Sequence, residues 1–261
     1  MGGLNGATGL GYDASGNLTG YNGMTLSWDN WGQLIGATNT PLGNVTYTYD
    51  ALGRRASKTV GGATTLYLYD GDALIGEVNG ATGQLTRSYT WGAIGLISDH
   101  SSTGSRYYMF DPAGHTRALL DANGNTLAQQ AYTSYGQQVG TALPTPFAWN
   151  GACGIFSDPE TGLLYMRARY YSPSIGRFIS RDPIGFDGGI NVYAYCEGDP
   201  LNYCDPNGND WKLTIRASND HAWIVVKDPL GITTSYGRWH TGYGGSVTDG
   251  VQINIEKNGN R

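Results

Sequence analysis

Two aspartates, Asp182 and Asp205, stand 23 residues apart in the same four-residue frame, Asp-Pro-x-Gly. Two carboxylates held side by side can hydrolyse a peptide bond. One takes a proton from water while its neighbour protonates or polarises the carbonyl. Like charges held close cannot both ionise cheaply, so one of such a pair keeps its proton near neutrality. The same frame is also a turn. Pro at the second position presets φ and Asp at the first accepts from a turn amide, so the frame suits a type I turn wherever it falls. It falls four times, at Asp111, Asp182, Asp205 and Asp228. Residue types and spacing leave both readings open. The two are compatible, because a turn fixes a short side chain against backbone amides.

The elements around these residues are strands and hairpins. YDASGNL at Asp13, WDNWGQL at Asp29, YDALGRR at Asp50, FDPAGHT at Asp111 and LDANGNT at Asp121 each place Asp first and Gly fourth in a turn. The segments before them alternate. In NVTYTYD, Val45, Tyr47 and Tyr49 interleave with Thr46 and Thr48; in TTLYLYD, Leu66 and Leu68 take one face and Tyr67 and Tyr69 the other. Asp50 follows Asp29 by 21 residues and Asp70 follows Asp50 by 20, one hairpin per unit. Units this small must stack on or coil against neighbours to bury a face.

Composition agrees: 41 glycines and 19 tyrosines against 5 phenylalanines describe a β-rich chain of many short strands. A net charge of −5 builds no surface that would attract phosphates, so nucleic acid is not an expected partner. No apolar run reaches membrane-spanning length, and MGGLNGATGLGYD has neither the basic nor the apolar part of a secretory signal. Cys153, Cys196 and Cys204 lack zinc-type spacing. Cys196 and Cys204 could pair, but small buried thiols are the favoured reading. Asp121, Asn123 and Asn125 space oxygen ligands like part of a calcium loop, without its distal glutamate, and read as a turn. With no phosphate loop, dinucleotide fingerprint or serine-nucleophile frame, no cofactor is expected.

Tyr12-Asp13, Tyr49-Asp50 and Tyr69-Asp70, each followed by a short glycine turn, resemble the YD-repeat, or Rhs, family. Residues 106–137 and, more specifically, SDPETGLLYMRARYYSPSIGRFISRDPIGFDGGINVYAY (157–195) resemble the Rhs-associated core. The resemblance covers roughly residues 7–209. It implies an all-β fold: an antiparallel YD-repeat sheet over 1–105 coiling into part of a hollow β-shell, closed by the core over 106–209. A variable tail, 210–261, follows as a truncated effector domain. So short a run of repeats is expected to form only part of a shell and to be the C-terminal end of a longer ancestor.

The family also implies an activity. In many members an aspartyl self-cleavage within the core frees the C-terminal cargo. Asp182, directly after GRFISR, and Asp205, after the DPLNY run, have the flanks of the family's self-cleaving carboxylates. Arg181 is the cation assigned to them, ahead of Arg177. The bond implied is Asn209–Asp210, where family members commonly carry an apolar residue such as leucine. The implied partners are the C-terminal effector in cis, a contractile secretion system or toxin-complex subunit, and an immunity protein. Bacterial export or surface association follows.

Two alternatives belong to other classes. A non-catalytic β-repeat protein could use exposed Tyr and Trp for cell-surface contact or carbohydrate binding. Alternatively the tail, whose His221-Ala222-Trp223 faintly resembles the histidine strand of papain-like hydrolases, could be a toxin hydrolase. No cysteine follows Cys204 to serve as its nucleophile, so hydrogen-bonded structural roles for His221 and His240 are favoured.

Overall fold

The computed structural model describes residues 10–92 and 95–209, and beyond them the backbone of four strands. β1 (Gly11–Tyr12), β2 (Leu18–Tyr21), β3 (Met24–Trp28) and β4 (Leu34–Thr38) open a meander. β5 (Val45–Tyr49), β6 (Arg55–Val60), β7 (Ala63–Asp70), β8 (Ala73–Asn79) and β9 (Leu85–Gly92) extend it. β10 (Gly95–Ser101), β11 (Gly104–Phe110), β12 (Thr116–Leu120) and β13 (Thr126–Gln129) complete it. Each strand pairs antiparallel with its neighbours in sequence, giving one 13-stranded sheet. The boundary expected at residue 105 falls in the β10–β11 hairpin, inside this sheet.

Turn chemistry sets the hairpins. At Asp13, Asp29, Asp50, Asp111 and Asp121 the Asp amide donates to the carbonyl four residues on, at 2.8–3.0 Å. The carboxylate Oδ1 accepts the amide of that same residue, at 2.8–3.0 Å. The fourth-position glycine in each turn has φ between +76° and +86°, a left-handed backbone that a side chain resists. The adjoining register shifts at Tyr12, Trp28, Tyr49, Phe110 and Leu120 mark a bulge at each hairpin. Asp70 differs: it ends β7 and pairs with Ala73 across a tighter turn.

Alternation then divides the sheet into two faces. Val45, Tyr47, Tyr67, Leu74, Tyr89, Leu96, Tyr108 and Leu119 point inward and are buried. They pack on a second, four-stranded sheet of β14 (Phe156–Asp158), β15 (Leu163–Met166), β16 (Arg169–Ser172) and β17 (Arg177–Phe178) and on the segment before it. Tyr89 meets Phe147 edge-on at 4.9 Å, Tyr67 meets Phe156 at 5.7 Å and Tyr47 meets Tyr170 at 5.7 Å. Ion pairs fasten the same contact. Arg55, buried beneath the rings of Phe156 and Tyr165, binds Asp158 at 2.5 Å, and Lys58 adds Asp158 at 3.2 Å and Glu160 at 3.0 Å. The large sheet therefore wraps the small one as a shell wraps a plug.

The small sheet is covered on both faces, as its burial shows: every residue of β15 and β16 is buried. Leu163, Tyr165 and Tyr170 face the large sheet. Leu164, Met166 and Tyr171 face a second core with Trp149, Phe178, Tyr195 and Cys196. Arg169, two residues from Tyr171, shares that second side by strand periodicity.

Between the two sheets lies a short hairpin, Ala131–Tyr132 with Gln138–Val139. In the tail, strands Lys212–Ser218, His221–Lys227, Thr233–Gly237 and Asn254–Glu256 pair antiparallel in that order. The side chains of His221, Trp223, Val225 and Tyr236, together with Asp228, Trp239 and His240, lie outside the described residues. No helix among the described residues is long and apolar enough to cross a membrane.

Candidate functional site

Asp182 and Asp205 converge on Arg169. Asp182 Oδ2 lies 2.8 Å from Arg169 Nη1, and Asp205 Oδ2 lies 3.3 Å from Nη2. All three side chains are buried, with 1–2% of their surface exposed. The guanidinium carbon lies over Phe178, 3.6 Å from the ring centre, and Arg169 Nε donates to the Gly208 carbonyl. Each carboxylate turns its other oxygen to its own turn. Asp182 Oδ1 accepts from Ile184 N at 3.0 Å; Asp205 Oδ1 accepts from Gly208 N at 2.8 Å and Asn209 N at 3.2 Å. Two acidic groups flank one delocalised cation away from water, where its contacts with them are far stronger than they would be at the surface.

The cation expected at Arg181 is thus Arg169. Arg181 is exposed, its aliphatic stem lying over Gly16 beside Tyr193. The strand ends at Phe178 and the chain bends at Ile179 and Ser180, after which Arg181 is exposed and Asp182 buried. Arg177 pairs through its backbone with Ser172 and Ala194, not with either carboxylate. Asp111, read as a turn, is one.

The loop that carries Asp205 is docked on the β15–β16 turn. Ala168 N donates to Asn207 O at 3.1 Å and Arg167 Nη1 to Pro206 O at 3.0 Å. Gly208 has φ +72°, and a Cβ there would meet Met166 O at 2.6 Å and Arg169 N at 3.0 Å. Only glycine fits so close to that backbone. Asn209 follows; its backbone amide donates to Asp205 and Asn207, while its buried side-chain Oδ1 has no hydrogen-bond partner among the described residues. Asp210 lies outside the described residues.

Two further groups adjoin the site. Asp205 N donates to Tyr195 Oη at 3.3 Å, and burial pushes the Tyr195 phenol well up. Cys204, beside Asp205, hydrogen-bonds Cys153. That contact and burial push the Cys204 thiol up, and the same contact holds Cys153 down. None of the three cysteines is in a disulfide.

Arg169 had a signal in the sequence. LLYMRARYYS is apolar or aromatic at nearly every position, and a strand buried on both faces admits an arginine only with carboxylates to meet it.

The teneurin YD-shell family matches residues 5–196. The tRNA3(Ser)-specific nuclease WapA of Bacillus spizizenii is 36% identical over 220 residues, covering 80% of this chain and 9% of the nuclease. The toxin subunit YenC1 of Yersinia entomophaga is 29% identical over 221 residues, covering 71% of this chain and 22% of that protein. Among solved structures, the TcdB2-TccC3 complex superposes with a TM-score of 0.60 at 23% identity, over 76% of this chain and 11% of that one, a likeness of fold. The chain thus spans a small fraction of the length of the relatives it matches. By its repeats, its wrapped sheet and these matches, the chain belongs to the YD-repeat family of Rhs and YD-shell proteins.

Proposed function

We propose that this chain is the carrier end of a toxin-type YD-repeat protein and that it cuts itself at Asn209–Asp210, freeing residues 210–261. The observation that carries this reading is the convergence of two Asp-Pro-x-Gly carboxylates on one buried guanidinium, against the loop that leads to Asn209. Hydrolysis divides two tasks between Asp182 and Asp205: one accepts the proton of the attacking water, the other donates to the carbonyl or the leaving amine. Arg169 fixes both carboxylates and balances their charge. Ala168, Arg167 and Arg169 hold three successive carbonyls before the bond, so the chain is presented rather than free. The reaction is a single turnover in cis.

Relatives support the wider role. Among them are tRNA nucleases and a double-stranded DNA deaminase toxin of Burkholderia cenocepacia, 29% identical over 199 residues. On this reading the tail is cargo, the wrapped sheet shields it, and the outside partners are a toxin-complex or secretion-system subunit and an immunity protein. Export or surface display in bacteria goes with that role.

A second reading, a contact surface, is favoured by one observation. On β7 to β11 the outer face carries exposed Leu66, Leu68, Ile75, Leu85, Ile97 and Met109, where a solvent face is normally polar.

Intact mass of the purified chain tests the first reading. The expected result is two fragments whose masses sum to the parent plus one water, broken after Asn209, with Asp182→Asn and Asp205→Asn whole. Deamidation at Asn207-Gly208 alters mass without breaking the chain, so it is separable. Three uncut proteins over days would overturn the reading and leave the contact surface.

A further inference from the structure

We infer that Tyr195 is a positioning residue for Asp205, its hydroxyl being the fixed point from which the second carboxylate is hung. The inference rests on the self-cleavage reading above.

In the five Asp turns of the large sheet, the Asp amide closes its own hairpin by donating four residues on. The Asp182 amide instead donates to a distant backbone carbonyl, Val192 O, at 2.9 Å. The Asp205 amide is different again. Its acceptor is a side chain, Tyr195 Oη at 3.3 Å. The height and tilt of the Asp205 turn therefore depend on where one phenol sits.

That phenol is held from every side. Tyr195 is 1% exposed, and its ring meets Tyr171 at 4.8 Å, Trp149 at 5.2 Å and Phe178 at 5.8 Å. Phe178 is also the ring beneath Arg169. One side chain thus touches the platform of the guanidinium with its ring and the backbone of a carboxylate with its oxygen. A second donor fixes that oxygen: Asn150 Nδ2 lies 3.0 Å from it. Asn150 is itself constrained, with φ +53° and ψ +31°, a conformation that a residue other than glycine keeps only when its surroundings impose it. Its amide donates to His115 Nδ1 at 3.2 Å. His115, Asn150 and Tyr195 form a braced line that ends on the Asp205 amide.

The test is Tyr195→Phe, which keeps the ring and removes the oxygen. Misplacing a reacting group by about 1 Å costs on the order of 100-fold in rate, and a loss of that order in self-cleavage is expected. The pH profile should move too. The groups facing Asp205 are Arg169, Asp182 across the guanidinium, and the Tyr195 phenol and Cys204 thiol. Arg169 favours the ionised carboxylate, so loosening that contact lets protons compete better and shifts the acid limb of the rate upward in pH.

Tyr108→Phe is the comparison. It removes hydroxyl contacts to Asp99 and Thr145, both 2.6 Å, in a buried setting away from the site. It should lower Tm and leave rate and profile alone. Asn150→Gly, which keeps the left-handed backbone and removes the donor, should slow cleavage less than Tyr195→Phe, in the same direction. If Tyr195→Phe cleaves at the parental rate, or slows with an unmoved profile, the inference falls. If the parent itself never cleaves, the self-cleavage reading falls, and amide hydrogen exchange decides the remainder. Faster exchange at Asp205 in Tyr195→Phe, with Gly185 unchanged, upholds the positioning role; unchanged exchange at Asp205 overturns it.

Discussion

The large sheet and the core use the same four-residue device to opposite ends. In the sheet, an Asp turn is self-contained: amide, carboxylate and glycine all find partners within four residues, and the carboxylates stay near water. In the core, Asp182 and Asp205 keep the turn but send the amide to a distant group and one carboxylate oxygen to Arg169. A turn becomes a candidate reaction centre when its leftover bonding capacity is claimed from outside. Sequence frame alone does not separate the two uses; burial and distant partners do.

The largest effect should come from removing the shared partner. Arg169→Ala leaves two buried carboxylates facing each other, and removing one member of a buried ion pair costs about 3–5 kcal/mol. Denaturant unfolding should show a loss of that size, with cleavage abolished; a near-neutral result would mean the carboxylates find water. Gly208→Ala should come next. Its Cβ would press on Met166 O and Arg169 N in a left-handed backbone, a strain on the order of 1–3 kcal/mol. The expected outcome is an uncut chain that is still folded by circular dichroism, because the loop lifts while the sheets remain.

Asp50→Ala probes the other side of the comparison. It removes turn bonds and the Arg54 ion pair at 2.7 Å, a partly exposed set, so screening limits the loss to about 1 kcal/mol or less. Cleavage kinetics should not change, and a change would show that the two kinds of turn are coupled. Asn209→Leu should sharpen the site instead. It replaces a buried oxygen that has no partner among the described residues, so faster cleavage is expected in a time course, and slower cleavage would show that the amide is used.

The smallest effect is a pH dependence. Burial, first among its causes, lowers the His115 pKa, so the folded chain resists a proton that the unfolded chain accepts. Stability is full above the unfolded value of about 6.5 and falls as pH drops below it. Thermal unfolding should show this shallow loss, and His115→Gln should flatten it.

The legible part of the molecule was its local part. Each hairpin of the large sheet is closed by residues within a few positions, so Asp-x-x-Gly marked five of its turns and the alternation of Tyr47, Tyr67 and their neighbours marked its strands. The pairing of Asp182 with Asp205 needed the family resemblance, since four identical frames compete for it. Arg169 was missed because its partners are 13 and 36 residues away in sequence, while Arg181 was favoured by mere adjacency, which does not place two side chains on the same side. The double burial of the strand that carries Arg169 left a mark in LLYMRARYYS, whose apolar and aromatic residues do not alternate with polar ones, but which sheet covers it left none.

The meander has a consequence in time. Every strand of the large sheet bonds to the strand made just before it, so no part of that sheet waits for a segment made much later. The wall can be laid down in the order of synthesis, each hairpin closing as it emerges. Arg169, Asp182 and Asp205 come after all 13 strands. The order of synthesis is thereby an order of arming: a chain halted at any earlier point holds scaffold without charge cluster.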